Sequence, residues 1–156
     1  MKLYVRGYRG AGAGSRVIKW FTRSEFSHVS LIFHMHGYAQ EIEAIQGEGV
    51  IQHKPHTSRH KEFLDLAVPV SYEQILNIHI NAMRCIGAKY DWKGVISFLL
   101  HRKKHTLDKF FCSEFNAYQL LKGGYPISRR APYRQSPDNV MESLRLIDPV
   151  TELGGA

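Results

Sequence analysis

The sequence has only two cysteines, Cys85 and Cys112, among its 156 residues. Two thiols on two different predicted helices cannot form the disulfide framework of a small secreted domain, so we expect both to be free. No apolar run approaches the length of a membrane-spanning helix. The N-terminal stretch MKLYVRGYRGAGAG has charges and glycines where a signal peptide needs an unbroken apolar segment. These absences predict a cytoplasmic protein with no visible export signal.

Acidic residues are also scarce, with 14 Asp and Glu against 21 Lys and Arg and a formal net charge of +7. Such an excess favours anionic surroundings, for example nucleic acid, anionic lipid or cell-wall polymer, without selecting one of them. The glycine-rich segment GAGAG (10–14) lacks the Gly-Lys-Ser/Thr of a phosphate-binding loop and the spacing of a dinucleotide fingerprint. We therefore expect no cofactor.

The patterns along the chain predict mainly strands first and helices later. The stretch HVSLIFHMHGYAQEIEAI predicts two strands around a turn at Gly37, and GVIQHKP and FLDLAVPV predict two more. A short amphipathic helix is predicted at residues 15–23. Four further helices are predicted in SYEQILNIHINAMRCIGAKY, which has a capping sequence at Ser71 and keeps helical spacing to Gly87, then in YDWKGVISFLLHRKK, CSEFNAYQLLKGG and SPDNVMESLRLI. This order predicts a single α+β domain spanning residues 1–156.

Cys112 stands where an apolar run turns into a predicted helix. A helix N-terminus favours the thiolate form, so the cysteine is activated if the helix begins there and less so if it begins at Asp108. A nucleophilic thiol also needs a partner for its proton and a third group to orient that partner. His28, at the start of a strand, can be the partner. Glu43 on the returning strand can be the third group, but Glu41 shares its face, so alternation does not separate the two glutamates.

Four motifs occur in the order FSHVSLIF, EIEAIQGEGV, KYDWKG and FFCSEFNAYQLL. In this order the chain resembles the circularly permuted branch of the NlpC-type papain-like cysteine peptidase superfamily, in particular its YiiX-like group. The resemblance extends over about residues 1–145. It implies a permuted papain-like fold with the antiparallel sheet first and the catalytic cysteine helix late in the chain.

The resemblance implies a Cys-His-Glu triad. Cys112 would be the nucleophile and His28 the general base, and Glu43, which directly precedes Ala44, would orient the histidine. Such a cysteine peptidase or amidase cleaves an amide or peptide bond through an acyl-enzyme, here in a cell-wall peptide or a lipid or acyl amide. Relatives include acyltransferases of the lecithin:retinol type, so acyl transfer or thioester hydrolysis is the alternative.

Three residues of the matched motifs, Tyr90, Ser113 and Glu114, are expected to line the substrate or to support the structure. Ser30 stands where the family often has glycine, a departure that leaves the chemistry untouched. The backbone N–H of Cys112 is a natural candidate for the oxyanion hole.

Histidine and basic segments offer rival interpretations. The stretch HKPHTSRH spaces His53, His56 and His60 as zinc ligands are spaced, but its basic neighbours would repel a cation, and His34 with His36 is a second possible pair. We expect no metal. The stretches HRKKH (101–105) and SRRAPYR could bind phosphates in a non-catalytic basic module, yet no nucleic-acid-binding motif accompanies them, so no specific nucleic-acid partner is expected.

Overall fold

A computed structural model of the protein describes residues 1–10, 24–35, 37–55, 62–99, 108–128, 130–147 and 151–155, with the backbone alone at 97–99 and 151–155. Several sequence predictions lie outside these ranges, namely the helix at residues 15–23, the basic segment 101–105 and the histidines at positions 36, 56 and 60. Among the described residues, no helix is both long enough and apolar enough to cross a membrane.

Six strands form one antiparallel sheet in the order β4-β3-β2-β1-β5-β8. The four strands predicted from the sequence are present, and the α+β class with an antiparallel sheet followed by helices is confirmed. Two further short strands pair with each other in parallel. The strands are β1 (Lys2–Tyr8), β2 (His28–Met35), β3 (Tyr38–Ile45), β4 (Gly49–His53), β5 (Phe63–Pro69), β6 (Lys89–Tyr90), β7 (Lys109–Phe110) and β8 (Thr151–Gly155).

The central strand β1 was not predicted from the sequence. Its residues alternate, with Leu3 and Val5 fully buried, but the glycines that follow obscure the pattern. Gly7 has a specific packing reason, because a Cβ atom there would lie 2.7 Å from the Phe26 ring. The strand therefore needs a residue that normally weakens strands.

Four α-helices follow the first five strands: α1 (Tyr72–Arg84), α2 (Trp92–Leu99), α3 (Cys112–Lys122) and α4 (Pro137–Ile147). The capping box predicted for α1 is present, with the Gln74 amide donating to Ser71 Oγ at 3.0 Å and the Ser71 amide donating to Gln74 Oε1 at 2.9 Å. Helix α3 begins at Cys112 and not at Asp108. Gly124, with φ of +78°, follows its end in the left-handed conformation that favours glycine.

The two faces of the sheet differ in chemistry. One face is apolar and packs against α1, α3 and α4; its buried residues include Leu31, Phe33, Ile42, Leu66 and Val68, which meet Ile78, Phe115, Leu120 and Met141 of the helices. The other face has polar side chains that are also largely buried, among them Arg6, Tyr8, Ser30, Glu41 and Glu43. Buried polar groups need partners, and the candidate site lies among them.

Candidate active site

The hairpin of β2 and β3 brings His28 and Glu43 together. Leu31 pairs with Ile42, and this register leaves His28, Ser30 and Glu43 on the same face of neighbouring strands. His28 Nε2 is hydrogen-bonded to Glu43 Oε2. The His28 side chain is 18% exposed and that of Glu43 is 5% exposed, so the pair is largely shielded from water.

Both members of this pair have perturbed pKa values. Burial lowers the pKa of His28, but the negative charges of Cys112 and Glu43 and hydrogen bonds to both outweigh it and raise the pKa to about 10. Burial raises the pKa of Glu43, but the charge and hydrogen bond of His28, together with those of His53, lower it to about 2. The arrangement therefore keeps a charged imidazolium beside a charged carboxylate over a wide pH range.

Cys112 is the first residue of α3 and is 5% exposed. Phe111 at the N-cap position provides no side-chain hydrogen bond to the first turn, so no capping oxygen competes there with the thiol. Asn116, one turn further on, donates through Nδ2 to the Cys112 carbonyl at 2.8 Å and to the Val29 carbonyl at 3.0 Å. This side chain connects the start of α3 to the residue that follows His28.

Tyr90 is positioned relative to the start of α3 by the short parallel pair of strands β6 and β7. Tyr90 lies opposite Phe110, two residues before Cys112. Burial raises the pKa of Tyr90, and the charges of Cys112 and Asp91 raise it further. The phenol therefore stays protonated and remains a hydrogen-bond donor.

Two further residues of the KYDWKG motif, Asp91 and Gly94, have a structural explanation. Asp91 Oδ1 accepts from the Gly94 amide at 2.8 Å, in the manner of an N-terminal cap for α2. A Cβ atom at position 94 would overlap the Asp91 carboxylate, so the motif requires glycine there.

Glu41 has different partners from Glu43, although both lie on the same face of β3. Its Oε1 accepts hydrogen bonds from the Tyr8 hydroxyl and, at 2.5 Å, from Ser30 Oγ. Strand alternation left the two glutamates equivalent, whereas in the structure Glu43 is hydrogen-bonded to His28 and Glu41 to Tyr8 and Ser30. The role of Glu43 as the third member of a triad stays a prediction.

Ser113 and Glu114 are each 1% exposed. Ser113 Oγ donates to the Gln135 carbonyl at 2.7 Å and so connects α3 to the segment before α4. Burial favours a structural role for both residues over contact with substrate, and for Ser113 the bond to Gln135 adds to it. Of the three predicted lining residues, Tyr90 is the one whose pKa is raised in part by the charge of Cys112.

Sequence reasoning missed His53 as a neighbour of the site. Its Nε2 lies 2.5 Å from Glu43 Oε1, and its Nδ1 lies 2.7 Å from the Lys54 carbonyl oxygen. The signal was the β3–β4 register, in which His53 lies opposite Glu41 and diagonal to Glu43. That register is fixed by the turn at residues 46–48, whose geometry the sequence alone does not specify.

Comparison with known proteins gives a similarity of fold to solved structures. No protein-family model matches the chain, and no curated protein matches it. Among solved structures, the crystal structure of the metalloprotein YiiX from Escherichia coli O157:H7, DUF1105, superimposes with a TM-score of 0.71. The match covers 100% of this chain and 97% of that one at 16% sequence identity. The chain therefore shares the α+β fold of YiiX, and the YiiX-like part of the predicted resemblance is supported.

Proposed function

We propose that this protein is a cysteine hydrolase with a permuted papain-like fold, in which Cys112, His28 and Glu43 act as nucleophile, general base and orienting group. One observation carries the proposal, namely that Cys112 begins a helix and interacts with the imidazole of His28, whose Nε2 is hydrogen-bonded to Glu43. A thiol, a base and an orienting carboxylate in this sequence are the parts that nucleophilic catalysis by cysteine requires.

The first half of the reaction forms an acyl-enzyme. The Cys112 thiolate attacks the carbonyl carbon of an amide, and the charge on the resulting oxyanion is stabilised by N–H groups at the start of α3. His28 gives its proton to the leaving nitrogen, the C–N bond breaks, and an amine departs. The acyl group stays on the sulfur as a thioester.

The second half releases the acyl group. The neutral His28 takes a proton from water, the water oxygen attacks the thioester carbon, and the thiolate leaves with the imidazolium restored. Glu43 keeps the ring in one orientation and stabilises its charged form in both halves. An acceptor alcohol or amine in place of water makes the same site an acyltransferase, and a thioester substrate makes it a thioesterase.

The substrate that we propose is a peptide, amide or other acyl compound of cell-wall or lipid origin. The protonated phenol of Tyr90, whose pKa is raised in part by the charge of Cys112, supports its role as a donor to the substrate. The net charge of +7 favours an anionic substrate or surface.

YiiX is described as a metalloprotein, so we tested whether the site of this chain suits a metal ion. Zinc bound by both an imidazole nitrogen and a carboxylate oxygen separates those atoms by roughly 3 Å. The His53 nitrogen and Glu43 oxygen are 2.5 Å apart, which is the distance of a hydrogen bond and not of two ligands on one ion. In the part of the chain that the structure describes, no group of three or more His, Cys, Asp or Glu side chains is arranged to hold a metal. The donor set does not fit a metal, and the proposed steps use none.

The proposal is tested by trapping the acyl-enzyme. The protein is incubated with peptidoglycan fragments, acyl thioesters and lipid amides, and its intact mass is measured. We expect a mass increase equal to one acyl group, located on Cys112 by peptide mapping and absent from Cys112→Ser. An adduct that persists in Cys112→Ser, or product formation by that variant, would contradict the proposal.

A further inference from the structure

His53 occupies the side of Glu43 opposite to His28. The two Glu43 oxygens are divided between two imidazoles, Oε2 with His28 and Oε1 with His53. The side chains of His53 and Glu43 are 14% and 5% exposed. A carboxylate held at both oxygens cannot rotate without losing one of these bonds, so its orientation toward His28 depends on His53.

The second nitrogen of His53 is also engaged. Nδ1 lies 2.7 Å from the carbonyl oxygen of Lys54, which can only accept a hydrogen bond. The carboxylate oxygen of Glu43 can likewise only accept while it is ionised. Both nitrogens of His53 therefore face acceptors, and the ring satisfies both when each nitrogen carries a proton.

The backbone around His53 connects this ring to the remainder of the site. Gly49 begins β4 with φ of +85°, and a Cβ atom there would overlap the Ala88 carbonyl oxygen. The Val50 amide donates to that carbonyl at 2.8 Å, and the Gly87 amide donates to the Val50 carbonyl at 2.9 Å. Strand β4 is thus fixed to the segment that leads into β6 and Tyr90.

We infer that His53 is a positioning residue, a fourth member of the site that fixes Glu43 and, through it, the imidazole of His28. This inference goes beyond the proposed triad but rests on it for the catalytic consequence. The acceptor pattern around His53 and its contact with Glu43 are independent of any substrate.

The charged and titratable groups around Glu43 come from four elements. They are His28 on β2, His53 on β4, Tyr8 on β1, and Cys112 on α3, which acts through His28. Removing His53 takes away one of the groups that lower the pKa of Glu43. The pKa of Glu43 should therefore rise from about 2 toward its ordinary value of 4.5.

The test is an NMR titration of the Glu43 carboxyl carbon in the wild type and in His53→Ala, together with the rate at which iodoacetamide alkylates Cys112. We expect the Glu43 midpoint to move upward in His53→Ala and alkylation to slow by up to about 100-fold, because the imidazole is displaced. His53→Gln keeps one N–H donor and a similar length, so it should give intermediate values. This variant also serves if His53→Ala does not fold.

His34→Gln is the matched control. His34 lies on the same face of the sheet and packs edge-on against the Tyr4 ring at 5.0 Å. Its substitution should leave the Glu43 midpoint and the alkylation rate of Cys112 unchanged. A Glu43 midpoint and an alkylation rate like those of the wild type in both His53 variants would overturn the inference. A Glu43 shift in a protein that forms no acyl-enzyme would support the role of His53 while rejecting the proposed function, so the two failures are distinguishable.

Discussion

Glu41 and Glu43 are two residues apart on the same face of the same strand, yet they lie in different chemical surroundings. Glu41, fully buried, is held by the hydroxyls of Tyr8 and Ser30. Glu43, also buried, is held by the imidazoles of His28 and His53. The same side chain thus belongs to a hydroxyl cluster at one position and to an imidazole cluster at the next.

The difference lies in where the protons can move. Burial and then the charges of Glu41 and Glu43 raise the pKa of Tyr8, so its phenol keeps its proton and Glu41 has a fixed donor. Imidazoles, in contrast, can carry a proton on either nitrogen and can exchange it with a thiol or a substrate. We therefore assign stability to the Glu41 cluster and chemistry to the Glu43 cluster.

The largest expected effect comes from removing the charge of each glutamate in turn. Glu43→Gln should lower turnover by about 100-fold or more while the fold persists, because the amide neither fixes nor stabilises the imidazolium. Glu41→Gln should leave turnover within about threefold, since Glu41 is hydrogen-bonded to the hydroxyls of Tyr8 and Ser30. Steady-state kinetics and thermal melting of the two variants measure both effects.

The reverse pattern would break the comparison. If Glu41→Gln removes activity and Glu43→Gln does not, the orienting role belongs to Glu41, the alternative that strand alternation left open.

A second test concerns the His28 imidazole. Cys112→Ala removes a negative charge and a hydrogen bond that raise the pKa of His28, so the midpoint should fall from about 10 toward 6.5. NMR titration of the ring measures it directly, with His79 as an internal reference because burial lowers the pKa of that residue. In the active enzyme, rate should fall as the pH rises through about 10 and His28 loses its proton. An unchanged His28 midpoint in Cys112→Ala would show that the thiol does not interact with the imidazole.

The smallest expected effect concerns Asn116, which connects α3 to β2. Asn116→Leu leaves the Val29 carbonyl without this donor and should lower the free energy of unfolding by about 1–3 kcal/mol. It should also slow alkylation of Cys112. Asn81→Leu is the matched control, because Asn81 also donates to the carbonyl four residues earlier, at 2.9 Å, but in α1 and away from the site. Equal effects of the two variants would show that the bond from Asn116 to Val29 adds nothing beyond the bond within the helix.

The sequence predicted the parts of this structure that depend on local patterns. The β2–β3 hairpin, the capping box at Ser71 and the helix after Phe111 follow from alternation, capping chemistry and terminal glycines. The strand β1 was missed because it contains glycine at position 7, which the close packing of the Phe26 ring requires. That contact comes from a residue distant in the sequence.

The site was predicted less completely than the fold. His28, Glu43 and Cys112 were identified by type and motif, but the separation of Glu43 from Glu41 required the positions of Tyr8 and Ser30. His53 was considered only as a metal ligand. Its contact with Glu43 depends on strand register, which is a property of the whole sheet.

The two cysteines provide the most direct test, because their accessibility and their proposed chemistry point in opposite directions. Cys85 is half-buried, burial raises its pKa, and Gln119 Nε2 lies 3.3 Å from its sulfur. Cys112 is only 5% exposed. Exposure alone predicts that Cys85 reacts first, whereas a nucleophile at a helix N-terminus beside His28 predicts Cys112.

The measurement is the order in which iodoacetamide, in small excess at neutral pH, alkylates the two thiols of the folded protein, followed by peptide mass spectrometry. Our account predicts that Cys112 is modified first and that Cys112→Ser loses both this labelling and acyl-enzyme formation while remaining folded. Preferential modification of Cys85, or hydrolysis that survives in Cys112→Ser, would contradict it.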